Sequence, residues 1–181
     1  MHLYLVRHAR PENITDEDPP LGKEGIEQAE MLGKFFAALE LKPESLKVVS
    51  STAKRAVQTA TAICQGMGVA DELFTWPTRQ EEALGIEVVN SRLMEHLRTI
   101  TGEEGRSEVI VVGHHPYLSK CLAWLVGNDA VSFPGPYGAT ACLACDLSFG
   151  QGTGVLDWLV VPALLRCLQK SVRAAGQASG G

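Results

Sequence analysis

The sequence predicts an α/β fold, a three-layer α/β/α sandwich around a mostly parallel sheet. Two observations carry that expectation. Short β-branched and aromatic runs alternate with amphipathic segments, the pattern of strands joined by helical crossovers. One run, Val109-Ile110-Val111-Val112, is apolar at every position, as a strand buried on both faces must be. The length of 181 residues suits one domain. A chain of this size buries roughly 70% of its unfolded surface, enough for a core without covalent staples.

The elements follow in order. His2 to Val6 is a strand at the amino terminus. Gly25 to Leu41 carries Ile26, Ala29, Leu32, Phe36 and Leu39 at three- and four-residue steps, a helical stripe. Leu46 to Val49 is a second strand, and residues 52–65 form the next helix, with Ser51 or Thr52 placed to cap it. Val89, Leu93, Met94, Leu97 and Ile100 stripe a helix over 86–100. After the strand at 109–112, Pro116 sits where a helix begins, followed by Leu118, Cys121, Leu122 and Leu125. Thr140 to Leu147 and Val155 to Val160 are the last strands, and a final helix starts at Pro162. The acidic stretch 12–20 and the proline- and glycine-bearing 133–138 read as loops. Residues 1–173 are expected to form the single domain, and the small, polar segment 174–181 a flexible tail.

The net charge of −5 argues against broad binding to nucleic acid or an anionic membrane, while leaving room for a locally basic pocket. No apolar run reaches the ~18 residues of a membrane span, and the amino terminus is unlike a signal peptide. Five cysteines, Cys64, Cys121, Cys142, Cys145 and Cys167, lie among apolar neighbours, as reduced buried thiols do, and place the protein in the cytoplasm. Cys142 and Cys145 are three apart on a strand, so they face opposite ways. With no second pair beside them, no metal site is expected.

The chemistry gathers at strand ends, where loops in such a sheet surround a shared crevice. The first strand runs into Arg7-His8-Ala9-Arg10, and the strand at 109–112 into Gly113-His114-His115-Pro116. The strand at 46–49 leads to Ser50-Ser51-Thr52-Ala53-Lys54-Arg55, which puts cations in the first turn of a helix. Each residue alone has an ordinary reading as a solvated or satisfied side chain. Cations at a helix amino terminus oppose the helix dipole, however, and an anion held there would offset that cost.

Taken in order, LYLVRHA, PLGKEGIEQAEMLGKFF, SSTAKRAVQTA and VVGHHP resemble the histidine phosphatase (phosphoglycerate mutase-like) superfamily over residues 3 to about 160. The RHA triplet and the short chain are most similar to the SixA-like phosphohistidine phosphatases. The resemblance implies a phosphoglycerate mutase-like fold and a metal-independent phosphatase needing no cofactor. His8 would be the nucleophile, carrying the phosphoryl group before water removes it. Arg7, Arg55 and His114 would clamp the phosphate. The guanidinium forks can hold two oxygens at once, and both arginines disfavour an imidazolium at His8. Glu81, with Glu82 beside it, is the counterpart of the family's general acid, in Glu81-Glu82-Ala83-Leu84-Gly85. Arg10 is a candidate substrate or phosphate contact. His115 and Tyr137 are candidate pocket walls.

Few residues are available to roof the site, and that implies an open pocket fitted to a phosphohistidine-bearing protein. A small phosphate ester is the alternative substrate, for which Glu81 or Glu82 would matter more. A non-catalytic phospho-ligand binding module is the second alternative, and the presence of all four central residues weighs against it.

Overall fold

The structure, a computed structural model, describes residues 1–13, 15–69, 73–76, 86–101, 108–133, 135–146 and 148–178. Six strands form one sheet: β1 (His2–Arg7), β2 (Leu46–Ser51), β3 (Leu73–Trp76), β4 (Glu108–Gly113), β5 (Thr140–Ala144) and β6 (Val155–Val160). Their spatial order is β3-β2-β4-β1-β5-β6. The pairs β1/β4, β2/β4 and β2/β3 are parallel, whereas β5 runs antiparallel to both neighbours. The sheet is therefore mostly parallel, as expected, with one reversed strand. Among the described residues five α-helices surround it: α1 (Lys23–Ala37), α2 (Lys54–Met67), α3 (Ile86–Thr101), α4 (Tyr117–Val126) and α5 (Pro162–Ala178).

Strand alternation divides the core into two layers. Leu3, Leu5, Val109 and Val111 face one way and pack with Leu93, Met94 and Leu97 of α3 and Leu118, Leu122 and Leu125 of α4. Tyr4, Val6, Ile110 and Val112 face the other way, against Leu32 and Phe36 of α1 and Ala56, Ala60 and Ile63 of α2. Each residue of the 109–112 run is buried, so the all-apolar pattern has its expected cause. On the second layer α1 and α2 touch backbone to backbone. A Cβ on Gly66 would lie 2.5 Å from Cα of Gly33, a distance only two glycines permit.

Cys142 belongs to one core layer and Cys145 to the other, as their spacing requires. Cys64, Cys121, Cys142 and Cys145 are buried free thiols, but Cys167 of α5 is exposed, contrary to the sequence expectation. Among the described residues no group of three or more His, Cys, Asp or Glu could hold a metal ion. Among them, too, no helix is long and apolar enough to cross a membrane.

Other differences are local. β3 is a four-residue strand that the pattern did not reveal. β5 stops at Ala144 rather than at residue 147. Helix α5 continues to Ala178, through most of the expected tail, because Ala174, Ala175 and Ala178 favour helix. The cap of α2 is Ala53, whose side chain caps nothing, in place of Ser51 or Thr52.

Candidate active site

Strand order carries the predicted residues to one edge of the sheet. β1, β2 and β4 are adjacent and parallel, so their carboxyl ends deliver Arg7-His8, Ser50-Ser51 and Gly113-His114 together. The backbone fixes this edge. His8 N–H donates to Gly113 O at 3.0 Å, and Gly138 N–H to Arg7 O at 3.1 Å. A cavity of about 320 Å³ opens there, walled by Arg7, His8, Arg55, His114, His115 and Tyr137 with Asp16 and Glu17 of the 12–20 loop. A larger cavity, about 560 Å³, lies at the opposite end of the sheet beside Tyr4, Glu108 and Trp158 and holds none of the predicted site residues.

His8 is 5% exposed. Its Nδ1 lies 2.7 Å from the Ala9 carbonyl oxygen, which can only accept, so Nδ1 carries the proton and Nε2 the lone pair. Arg55 donates its Nε–H to that Nε2 at 3.2 Å. Burial, more than charge, pushes the His8 imidazolium down to about 4. Arg55, Arg7 and His115 add to the fall, and the Ala9 hydrogen bond opposes it. The ring is thus neutral at neutral pH, the form a nucleophile needs. Desolvation, and not the arginines expected from the sequence, is the larger cause.

The His114 ring packs against His8 at a tilt of 58°, with 4.8 Å between centroids. Its Nδ1 is 3.4 Å from Arg55 Nη2, which can only donate, and its Nε2 is 2.8 Å from Ser51 Oγ. His114 therefore holds the tautomer with hydrogen on Nε2, donated to Ser51. Arg55 touches both rings, although it comes from a helix rather than a strand.

Arg7 completes the group. Its guanidinium carbon sits 4.2 Å above the Tyr137 ring, a cation–π contact. Its buried Nε–H has no hydrogen-bond partner among the described residues. An orphaned donor on a cation is costly to bury unless an anion completes it. Tyr137 also packs on His8, at 5.4 Å between ring centroids, so it is a pocket wall as expected. His115 is another, with its Nδ1 3.0 Å from Ser119 Oγ.

A hydroxyl that no motif marks ties the turn after His8 to α2. Ala9 N–H donates to Thr59 Oγ1 at 3.0 Å, and Thr59 Oγ1 donates to the Arg55 carbonyl at 2.7 Å. Thr59 is fully buried one turn beyond Arg55.

Arg10 is not brought to the cavity. Its side chain pairs with Glu24 at 3.1 Å on the surface, and its backbone N–H is held by Gln28. Two residues past His8, the chain has already turned outward. Glu81 and Glu82 lie outside the described residues. The amino terminus of α2, expected to favour an external anion, is occupied by the protein's own Asp18, which accepts from Lys54 N–H at 3.1 Å.

The model of the histidine phosphatase superfamily (branch 1) matches residues 3–86, the segment that carries Arg7, His8 and Arg55. No curated protein matches the sequence. Among solved structures, the protein histidine phosphatase SixA complexed with tungstate is 22% identical. That match covers 91% of this chain and 99% of that one, with a TM-score of 0.71. A mycobacterial glucosyl-3-phosphoglycerate phosphatase complexed with VO3 is 16% identical over 87% of this chain and 97% of that one, TM-score 0.64. A phosphoserine phosphatase from Entamoeba histolytica in complex with 3-phosphoglyceric acid is 16% identical over 88% and 96%, TM-score 0.62. At these identities the likeness is one of fold. The family match and the fold together support a phosphatase-type hydrolase.

Proposed function

We propose that this chain, with its fold and a segment matched by the histidine phosphatase superfamily, is a phosphatase that works through a phosphohistidine on His8 and acts on a phosphohistidine-bearing protein. The observation that supports it most is the state of His8: buried, neutral, with its proton fixed on Nδ1 and its Nε2 lone pair at the cavity wall.

The chemistry runs in two displacements. The Nε2 lone pair attacks phosphorus, an N–P bond forms, and the bond from phosphorus to the leaving nitrogen or oxygen breaks with its electrons going to the leaving group. Water then attacks phosphorus, the N–P bond breaks, and its electrons return to Nε2 as inorganic phosphate departs. Arg7, Arg55 and His114 surround the developing negative charge. Stabilisation by such fixed donors is the main resource for phosphoryl transfer. Imidazole is a far weaker base than an alkoxide and therefore the better leaving group, so a phosphohistidine substrate makes the smaller demand on a general acid. Hydrolysis of small phosphate esters is the second reading, with Glu81 as the proton donor.

The test is a trap followed by a competition. Protein mixed with labelled substrate is quenched without acid, and the label is located. Label on wild type and its loss in His8→Ala support the covalent route. Label that persists in His8→Ala rejects His8 as acceptor. Turnover of a phosphohistidine phosphotransfer domain is then compared with a panel of sugar phosphates. Faster turnover of the sugar phosphates reverses the ranking of the two substrate classes.

A further inference from the structure

Asp18 takes no part in the chemistry above, yet it touches the residue at the centre of it. It lies in the loop between β1 and α1 and reaches across to the first turn of α2. Lys54 N–H donates to Asp18 Oδ1 at 3.1 Å and to Oδ2 at 3.4 Å, and Arg55 Nη1 donates to Oδ1 at 3.5 Å. The carboxylate therefore supplies the cap that Ala53 cannot and a counter-charge for the guanidinium. Both side chains are largely shielded, Arg55 at 18% and Asp18 at 26% exposure. The loop is pinned on either side of Asp18: Glu12 N–H donates to Pro20 O at 2.9 Å, and Leu21 N–H to Gln58 Oε1 at 2.7 Å.

An anion here carries a cost, because it stands beside the place where a phosphoryl group must bind and repels it. The compensating gain is geometric. Arg55 has four single bonds to orient, and its fork must present Nε to His8 Nε2 and Nη2 to His114 Nδ1 at once. A guanidinium is planar, so anchoring Nη1 fixes the plane of the other two nitrogens.

The geometry points to Asp18 as the positioning residue for Arg55, holding the guanidinium in register with His8 and His114 while weakening the site's hold on free phosphate. The inference rests on the reading of His8 as nucleophile and Arg55 as phosphoryl clamp. It implies opposite effects on two parameters. In Asp18→Ala, kcat for p-nitrophenyl phosphate falls about tenfold or more, while inorganic phosphate inhibits as well as or better than in wild type. Asp18→Asn keeps an oxygen acceptor of the same shape and recovers part of the lost kcat.

A kcat within twofold of wild type in folded Asp18→Ala overturns the inference. So does a loss of phosphate inhibition in proportion to kcat, which marks a merely structural role, and so do equal losses in the Ala and Asn variants. Should Asp18→Ala fail to fold, Asp18→Asn decides: kcat about threefold or more below wild type supports the inference, and unchanged kcat overturns it. The His8 titration, followed by NMR, separates this inference from the reading beneath it, since it needs no turnover. If Asp18 holds Arg55 in place, its removal lets the guanidinium swing away and the His8 midpoint rises. If Arg55 stays put, loss of the neighbouring anion lowers the midpoint and the inference fails, whatever the protein hydrolyses.

Discussion

Arg55 donates its Nε–H to Nε2 of His8 across 3.2 Å, so a guanidinium hydrogen rests on the lone pair that the proposed mechanism directs at phosphorus. The contact favours the neutral ring, and in the proposed mechanism an arriving phosphoryl group would move the donor from nitrogen to a phosphoryl oxygen. Lysine keeps the charge but has no fork to face His8 and His114 together. Each charge-assisted hydrogen bond is worth about 1.5–3 kcal/mol. Arg55→Lys is therefore expected to lower kcat/KM by about tenfold or more, and Arg55→Ala by about a hundredfold or more. Steady-state kinetics on p-nitrophenyl phosphate measure both, and a Lys variant as active as wild type contradicts the forked role.

His8 should titrate near pH 4, well below the ordinary imidazole value of 6.5. The folded protein binds this proton less readily than the unfolded chain. Stability contributed by the neutral ring is complete above pH 6.5 and is lost as pH falls toward 4, by roughly 3 kcal/mol. NMR titration of the His8 ring gives the midpoint. Urea unfolding of wild type and His8→Gln from pH 7 to pH 4 gives the stability, with the variant losing less on acidification. A midpoint at 6.5 would refute the buried, desolvated ring.

Thr59→Val removes the acceptor for Ala9 N–H and the donor to the Arg55 carbonyl while keeping nearly the same shape. A buried polar group left unpaired costs about 1–3 kcal/mol. The expected result is a destabilisation of that size in urea, together with reduced kcat, because the turn carrying His8 is no longer tied to α2. Unchanged kcat would confine Thr59 to stability alone.

Gly66→Ala places a Cβ 2.5 Å from Gly33 Cα, where neither backbone can yield without parting α1 from α2. Overpacking of this kind costs about 1–3 kcal/mol. Thermal unfolding at neutral pH should show a lowered midpoint, and a variant as stable as wild type would mean that the helices slide apart freely.

Arg10→Ala should leave kcat/KM for p-nitrophenyl phosphate within about twofold of wild type, since the side chain pairs with Glu24 outside the cavity. A tenfold loss would bring Arg10 back as a substrate contact.

The strands at 2–7 and 108–113 were legible because the apolar and aromatic run Leu3 to Val6 and the all-apolar run Val109 to Val112 end abruptly in a cation or glycine followed by histidine. Arg7, His8, Arg55 and His114 could be named because each follows a strand whose end faces the same edge. Asp18 and Thr59 could not. One meets its partner 36 residues along the chain and the other lies in mid-helix, so their roles depend on tertiary distance, which leaves no periodic trace. Arg10 stands two residues from His8, but the chain reverses there into its bridge between Pro11 and Leu21 and the side chain meets Glu24. β3, at four residues, is too short to display a period.

Four thiols are sealed within the core and the fifth, on α5, faces solvent. A maleimide dye applied to the native protein should consequently couple at Cys167 in preference to the others. That gives a ready attachment point for fluorescence or surface tethering on a helix that, among the described residues, supplies no wall to the cavity of His8 and Arg55.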